Sequence, residues 1–314
     1  MVQRRCDACR KLYSSRQHLY RHKKSCKGSD IPPEPEISDC ADSLHRTGSE
    51  DHQIDSSAIS DKYVWKIKGV GKNHCFLFPR DIRGIIVGKS GFGKSTLLTH
   101  LLLESELLDY NTLNICGRSL HQPEYQIMNN AFSRNLSKKQ VRTIFENQDE
   151  IEERGGVESL LESSDLQCKG GVDVTLYEDV AEILDPSAYD NSRKNLLIFD
   201  DIMLGPQNKA EAFFTRGRHN NIDVIYIAQS YFRLPRQTVR ENANFFIFFR
   251  QDNKNLSHIY QDHCSIDEAV PFEKFKNFCT SVWDENKHNF VTIDPTRPWY
   301  CGKYRKNLND YWIP

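Results

Sequence analysis

The sequence predicts an α/β fold in which a mostly parallel sheet carries helices on both faces. Residues 84–87 form a short apolar run, and a glycine-rich turn joins this run to an apolar helix pattern that begins at Lys94. Residues 196–199 form a second continuous apolar run that ends in two aspartates, and residues 222–228 and 244–249 are two further, mostly apolar stretches. Continuous apolar runs are typical of strands that a parallel sheet buries on both faces. The 314 residues allow one large core of this kind with smaller appendages.

The first element is a cysteine-rich segment at the amino terminus. Residues 6–26 read CDACRKLYSSRQHLYRHKKSC, with the spacing C-x2-C-x12-H-x3-C that is typical of zinc sites. Tyr13 and Leu19 stand where a small ββα finger needs its two apolar core residues. The segment resembles the two-Cys, two-His zinc fingers with a cysteine in place of the last histidine, although a disordered basic tail is the alternative. We therefore predict a zinc finger over residues 1–27 with the ligands Cys6, Cys9, His22 and Cys26.

Charge distinguishes this finger from the segment that follows it. Residues 1–27 carry nine Lys and Arg against one acid, an excess that favours phosphate backbones or a nuclear-import receptor. Binding of the finger to another protein is an alternative to these two functions. Residues 28–60 carry eight acids against one base and few apolar residues, so we predict a disordered acidic linker.

Residues 61–314 are predicted to form the α/β domain, and its first motif is a phosphate-binding loop. Gly88, Gly93, Lys94 and Ser95 fit the pattern G-x-x-x-x-G-K-[ST] within RGIIVGKSGFGKSTLLTHLLL, residues 83–103. Glycines let the backbone turn its N–H groups toward an anion, and the helix N-terminus adds partial positive charge. Lys94 would reach the β- and γ-phosphates of ATP and the Ser95 hydroxyl would bind Mg²⁺, whereas a Gly-rich turn without a ligand is the alternative. The predicted nucleotide-contacting residues are Gly88, Lys89, Ser90, Gly91, Phe92, Gly93, Lys94, Ser95 and Thr96.

Further elements are predicted around this loop. Residues 63–67 and 75–78 are predicted to be short strands that flank a turn at residues 69–72. After the loop we predict a buried helix over 95–108, a strand over 111–116 and mainly helical sequence over 121–166. The tail, residues 270–314, is rich in Trp and Tyr, and we expect it to dock on the core.

Two acids and an amide are predicted to complete the site. Asp200 and Asp201 end an apolar strand, and ligands of open α/β sheets bind at the carboxyl ends of strands, so both acids should lie beside the phosphate loop. Asp200 would hold Mg²⁺ through its water shell, and Asp201 would polarise the attacking water. Gln229 ends another apolar strand, where its amide could sense a γ-phosphate without adding charge. A strand-terminal cap is the alternative for Gln229.

Arginines surround the strand that ends at Gln229. Arg216 and Arg218 precede it, on an edge where a neighbouring subunit's nucleotide would sit in a ring, so one of them could neutralise transition-state charge there. Solvated surface charges or DNA contacts explain them equally well. The stretch after Gln229 interleaves basic and aromatic residues, namely Tyr231, Phe232, Arg233, Arg236 and Arg240. This pattern is typical of a nucleic-acid contact, and an ordinary charged loop and helix explain it nearly as well.

Four segments together resemble the FtsK/HerA superfamily of DNA-pumping ATPases: GKSGFGKST, LLIFDD, FTRGRHNNIDVIYIAQS and ENANFFIFF. They are most similar to the poxvirus-type genome-packaging ATPases, including those that Polinton (Maverick) transposons encode. The resemblance spans residues 80–255 and implies a RecA-like P-loop NTPase domain. Many members of the superfamily have Glu where this chain has Asp201. The resemblance assigns nucleotide and Mg²⁺ to Lys94 and Ser95, the metal to Asp200, catalysis to Asp201, sensing to Gln229 and a trans-acting arginine to Arg218.

The resemblance also implies an activity and its partners. It implies a hexameric ring that hydrolyses ATP and threads double-stranded DNA during the packaging of a viral or transposon genome, with capsid or other element-encoded proteins as further partners. The expected location is the nucleus, a viral factory or the virion, and otherwise the cytoplasm. A zinc-finger DNA-binding or regulatory protein with a weakly active nucleotide-binding core is the second interpretation. A nucleotide kinase or GTPase is the third, and the chain has no N-K-x-D motif.

Hydropathy argues against a membrane protein. The mean hydropathy is -0.64. No apolar run approaches the roughly 20 residues that span a bilayer. The basic amino terminus has no apolar segment behind it, so secretion is not expected either.

Overall fold

The computed structural model describes residues 4–5, 12–13, 72–146 and 171–313, and the chain divides into two units, Met1–Val64 and Trp65–Pro314. In the first unit, strand β1 (Arg4–Arg5) pairs antiparallel with strand β2 (Leu12–Tyr13). The predicted zinc ligands, the linker over 28–60 and the predicted strand over 63–67 lie outside the described residues. The zinc finger and the linker therefore stay predictions.

Nine strands of the described part of the second unit form one sheet. They are β3 (Arg83–Val87), β4 (Thr112–Gly117), β5 (Asp173–Tyr177), β6 (Asn195–Asp200), β7 (Ile222–Ala228), β8 (Phe245–Phe248), β9 (Val291–Ile293), β10 (Tyr304–Lys306) and β11 (Asp310–Tyr311). The sheet order is β11-β10-β9-β8-β3-β7-β6-β4-β5. Strands β3 to β8 pair with one another in parallel, whereas β9, β10 and β11 extend the sheet beyond β8 in antiparallel pairs. The predicted mostly parallel sheet is confirmed.

Helices cover both faces of this sheet. They are α1 (Lys94–Leu103), α2 (Pro123–Ser133), α3 (Lys138–Glu146), α4 (Asn208–Arg216), α5 (Asn253–His263) and α6 (Phe272–Glu285). Successive strand residues point to opposite faces, so Ile86 packs in a core with α1, α2 and α3 while Ile85 packs in a core with α4, α5 and α6. Two apolar cores explain why the central strands read as continuous apolar runs. The predicted α/β architecture, with helices on both faces of the sheet, is thus confirmed.

Two predicted elements have different bounds or a different structure. Helix α1 ends at Leu103 rather than at residue 108, because the Leu102 carbonyl accepts a hydrogen bond of 2.7 Å from the Tyr110 hydroxyl and the chain turns between Glu104 and Leu107. The predicted strand over 75–78 is wrong. Those residues form a turn that a hydrogen bond of 2.9 Å from the Phe78 N–H to the Cys75 carbonyl closes.

The aromatic tail is docked, as expected. Trp312 stacks on Phe278 of helix α6 with ring centroids 4.2 Å apart. Arg305 of β10 is fully buried and forms an ion pair of 2.8 Å with Asp294, which is also fully buried. Because a buried charge is costly unless it is paired, this pair ties the tail to a defined position. No helix in the described ranges is long and apolar enough to cross a bilayer.

Candidate nucleotide site

The parallel strands bring the predicted site residues to one edge of the sheet, here meaning the end at which the strands have their carboxyl termini. In the order β3-β7-β6, Val87 pairs with Ala228, and Ile227 pairs with Asp200, so these strands end level with one another. The phosphate loop follows β3, Gln229 follows β7, and the two aspartates end β6. The acids lie at the same end of the sheet as the phosphate loop, with β7 between β6 and β3. Gln229 consequently stands between the loop and the carboxylates.

The phosphate loop, residues 88–95, has the backbone that its glycines permit. Gly91 and Gly93 have φ angles of 76° and 96°, in the left-handed region that favours glycine. A Cβ on Gly88 would lie 2.8 Å from the Cβ of Phe249, so this position has room only for a hydrogen. Helix α1 begins at Lys94, and the first N–H groups of a helix have no partner within it. The loop is therefore a cradle of backbone donors that fits the phosphates of a nucleotide.

Lys94 connects this cradle electrostatically to the carboxylates. Its ammonium donates a hydrogen bond of 3.0 Å to the Lys89 carbonyl. Burial lowers the pKa of Lys94, while the charges of Asp200 and Asp201 act in the opposite direction. Lys94 is thus close enough to both acids to interact with each. This is the juxtaposition that the sequence predicts.

Asp200 has a buried partner that the sequence does not reveal. The hydroxyl of Tyr125, on helix α2, donates a hydrogen bond of 2.6 Å to Asp200 Oδ2. Burial raises the pKa of Asp200, Asp201 raises it further, and the Tyr125 hydrogen bond and the Lys94 charge oppose these effects. Tyr125 is 2% exposed, so its ring also belongs to the core. Tyr125 lies in the segment predicted to be mainly helical. In such a segment the sequence does not distinguish an aromatic residue that contacts a site from one that only packs in the core.

Asp201 and Gln229 form a direct contact. The Gln229 amide Nε2 donates a hydrogen bond of 2.6 Å to Asp201 Oδ2. Asp201 has a left-handed backbone with a φ of 52°, and its N–H donates to the Ile227 carbonyl at 3.1 Å. The backbone therefore continues to pair with β7 while the carboxylate faces the amide. The interpretation of Gln229 as a strand-terminal cap does not account for this contact.

The donors at this edge suit a hard divalent cation. Ser95 offers a hydroxyl at the start of α1, and one oxygen of Asp200 accepts no hydrogen bond from any residue that the structure describes. Oxygen ligands of this type are those that Mg²⁺ takes in nucleotide sites. Within the described ranges no group of three or more His, Cys, Asp or Glu side chains is arranged for a metal ion, and the four predicted zinc ligands lie outside those ranges.

Arg216 and Arg218 lie at the opposite edge of the sheet. Arg216 ends helix α4, and Arg218 lies in a 3₁₀ turn (Gly217–Asn220) just before β7 begins. Arg83, at the start of β3, has its pKa lowered first by burial and then by the charge of Arg218. Both Arg216 and Arg218 are exposed, and neither forms an ion pair with a residue in the described parts of the chain. They are therefore remote from the phosphate loop of their own chain.

The basic stretch after Gln229 is partly structural. It contains a π-helical turn (Arg236–Arg240). Arg240 is 6% exposed and donates a hydrogen bond of 2.8 Å to Asp262, and the buried Tyr231 hydroxyl bonds to the same carboxylate at 2.8 Å. These two residues are thus committed to an internal network and are removed from the candidate nucleic-acid contact. Arg233 and Arg236 stay exposed.

Comparison with known proteins finds distant similarity to solved structures. No protein-family model and no curated protein matches the chain. The chain is similar to the genome packaging NTPase B204 from Sulfolobus turreted icosahedral virus 2, with 15% identity, 73% of this chain and 97% of that chain covered, and a TM-score of 0.43. It is also similar to VirB4 of Thermoanaerobacter pseudethanolicus (12% identity, 73% and 94% covered, TM-score 0.35). A third similarity is to the cytoplasmic domain of the Thermomonospora curvata type VII secretion ATPase EccC (12% identity, 77% and 28% covered, TM-score 0.35).

Proposed function

We propose that this chain hydrolyses ATP at the edge of the sheet where β3, β7 and β6 end. The observation that carries the proposal is the common end of three parallel strands, where the phosphate loop with Lys94 follows β3, Gln229 follows β7, and Asp200 and Asp201 end β6. A cationic cradle beside two carboxylates is the arrangement that binds a nucleoside triphosphate and activates water toward it.

Each residue then has a role that follows from its place. The backbone N–H groups of the loop and the Lys94 ammonium bind the β- and γ-phosphates. Asp201 accepts a proton from the attacking water or orients it, and Gln229, hydrogen-bonded to Asp201, responds to the γ-phosphate. Ser95 and Asp200 would hold Mg²⁺, which neutralises phosphate charge when it is bound. Tyr125 fixes the orientation of Asp200.

We further propose that hydrolysis moves double-stranded DNA for the packaging of a viral or transposon genome, in the nucleus or in a viral factory. Arg216 and Arg218 are compatible with a ring, because they are exposed, they lie at the amino ends of the strands remote from their own phosphate loop, and they could reach a neighbour's nucleotide. Arg218 is the residue that we assign to this role. The zinc finger, with Zn²⁺ bound, would attach the motor to DNA or to an element-encoded partner.

The direct test is the ATP turnover of the full chain with and without double-stranded DNA, on protein that is sized by light scattering. We expect DNA to stimulate turnover and the particle to have the mass of a ring. Lys94→Ala should lower turnover by about 10²–10³-fold, the usual effect of removing one group that stabilises transition-state charge. Its zinc content, measured by atomic absorption, should equal that of the unaltered chain.

Two outcomes would contradict the proposal. Unchanged turnover in Lys94→Ala would show that hydrolysis does not use this loop. Nucleotide binding with little hydrolysis, and no response to DNA, would instead favour the second interpretation, a zinc-finger regulator with a weakly active core.

A further inference from the structure

Residues 286–289, here called the extension loop, join α6 to β9 and contact the phosphate loop. Strand β9 runs antiparallel to β8 with Val291 opposite Phe248, so the start of β9 lies at the carboxyl edge of β8. The extension loop therefore arrives at the edge of the sheet that carries the nucleotide site. His288, which is exposed, places its Nδ1 3.2 Å from the Phe92 carbonyl oxygen. The same nitrogen is 3.1 Å from the point where a Cβ on Gly93 would lie.

The extension loop is held in a defined conformation. The Asn286 carboxamide accepts a hydrogen bond of 2.9 Å from the His288 N–H, and the Asn286 carbonyl accepts one of 3.0 Å from the Asn289 N–H. Phe290, which follows, packs on Phe249 with ring centroids 5.4 Å apart, and Phe249 is the residue that crowds Gly88. The imidazole is thus positioned on the phosphate loop by a turn and by core packing, rather than by a long flexible side chain.

The sheet order places His288 at one end of the proposed ligand. Asp201 and Gln229 end β6 and β7, on one side of β3, whereas the extension loop lies beyond β8 on the other side of β3. The γ-phosphate faces the carboxylate that activates water. The nucleoside, at the other end of the triphosphate, then faces the side of β8 and the extension loop.

We propose that His288 contacts the nucleoside of the bound nucleotide, an inference that rests on the proposed function. A backbone carbonyl only accepts hydrogen bonds, so Nδ1 carries the proton in the contact with Phe92. In the neutral ring this leaves Nε2 as an acceptor. The donors that a nucleoside offers to it are the ribose hydroxyls and the exocyclic amine of adenine.

The test compares the binding of ATP with the binding of inorganic tripolyphosphate, measured by calorimetry on the full chain. The informative variant is His288→Asn, because the Asn amide can replace Nδ1 as the donor to Phe92 while the rest of the ring is removed. We expect the ATP affinity of His288→Asn to fall about five- to tenfold, the effect of one lost hydrogen bond. Its affinity for tripolyphosphate should equal that of the unaltered chain. A 2′,3′-dideoxy analogue of ATP distinguishes the ribose hydroxyls from the base amine as the group bound.

Equal losses for ATP and tripolyphosphate in His288→Asn would overturn the inference, since they would show that His288 only supports the phosphate loop. No loss for either ligand would overturn it as well. If the unaltered chain bound neither ATP nor tripolyphosphate, the proposed function would fail first. The two failures are therefore distinguishable in one set of titrations.

Discussion

Asp201 shows how a single backbone conformation builds the site. Its φ of 52° is uncommon for a residue with a Cβ, and Asp is one of the few residues that adopt it readily. The conformation lets the N–H pair with Ile227 while the carboxylate accepts the Gln229 amide at 2.6 Å. The contact with Gln229 also fixes the position of the carboxylate.

Gly88 should be the least replaceable glycine of the phosphate loop. A Cβ there would lie 2.8 Å from the Cβ of Phe249, and Phe249 is buried against Phe290, so it has no space to move away. We expect Gly88→Ala to lose ATP binding and to be destabilised by about 1–3 kcal/mol, the usual cost of overpacking. Thermal unfolding and calorimetric ATP binding measure the two effects.

A matched control exists for this change. In Gly205→Ala the new Cβ would meet only the Ile202 carbonyl, at the ordinary contact distance of 3.5 Å. This variant should unfold and bind ATP like the unaltered chain. If Gly88→Ala behaved in the same way as Gly205→Ala, the close approach of Phe249 could not be what the glycine is needed for.

At the scale of residues, the sequence predicts those that a local pattern marks. The phosphate loop has a fixed spacing, and Asp200, Asp201 and Gln229 end apolar strands, so their meeting follows from a parallel sheet. Tyr125 and His288 lack such a mark, because each reaches the site through packing between segments far apart in the chain.

At the scale of elements, the apolar runs of the central strands are read correctly, whereas the short apolar run of residues 75–78 is not. The strand over 196–199 is recognisable because both of its faces are buried. Residues 75–78 look like a strand, but the neighbouring chain is held by Asp223, whose carboxylate pairs with Lys72 and His74 at 3.0 Å each. Asp223 is fully buried within β7, and its partners are about 150 residues away in sequence. No local pattern reports such a contact.

Helix α5 carries a titratable group that should make stability depend on pH. His263 packs against Phe246 with ring centroids 4.0 Å apart, and burial lowers its pKa to about 4, with Lys303 and Arg240 acting in the same direction and Asp262 opposing. In the unfolded chain a histidine titrates near 6.5, so below that pH the unfolded state binds a proton that the folded state does not. The free energy of unfolding should therefore fall between pH 6.5 and 4, by about 2 kcal/mol at pH 5 from this group.

The measurement is urea unfolding at pH 7 and pH 5 of the unaltered chain and of His263→Gln. Glutamine keeps an amide that can donate to the Tyr231 hydroxyl, which lies 2.7 Å from His263 Nε2, but it does not titrate. The variant should lose less stability than the unaltered chain on going to pH 5. An equal loss in both proteins would assign the pH dependence to other groups.

At the scale of the whole molecule, the residues of the proposed active site are divided between the two ends of the parallel strands. The carboxyl edge carries the phosphate loop and the carboxylates, and the amino edge carries Arg218 and Arg216. Parallel strands keep these edges a full strand length apart in one chain. Sequence reasoning reaches this arrangement from strand direction alone, since both arginines precede a strand that ends at the site.

If Arg218 acts on a neighbour's nucleotide, two inactive variants should restore each other. Lys94→Ala has an inactive nucleotide site but still supplies Arg218 to its neighbour. Arg218→Ala has an intact nucleotide site but supplies no arginine, and an arginine in this role contributes a factor of about 10³–10⁵ in rate. In rings assembled at random from equal amounts of both, about a quarter of the sites pair an intact loop with an intact arginine. We expect ATP turnover near that fraction of the unaltered chain, whereas each variant alone stays inactive. The same mixture with Arg216→Ala in place of Arg218→Ala tests the neighbouring arginine. A mixture as inactive as its components for both arginines would mean that neither Arg216 nor Arg218 completes a site on another subunit.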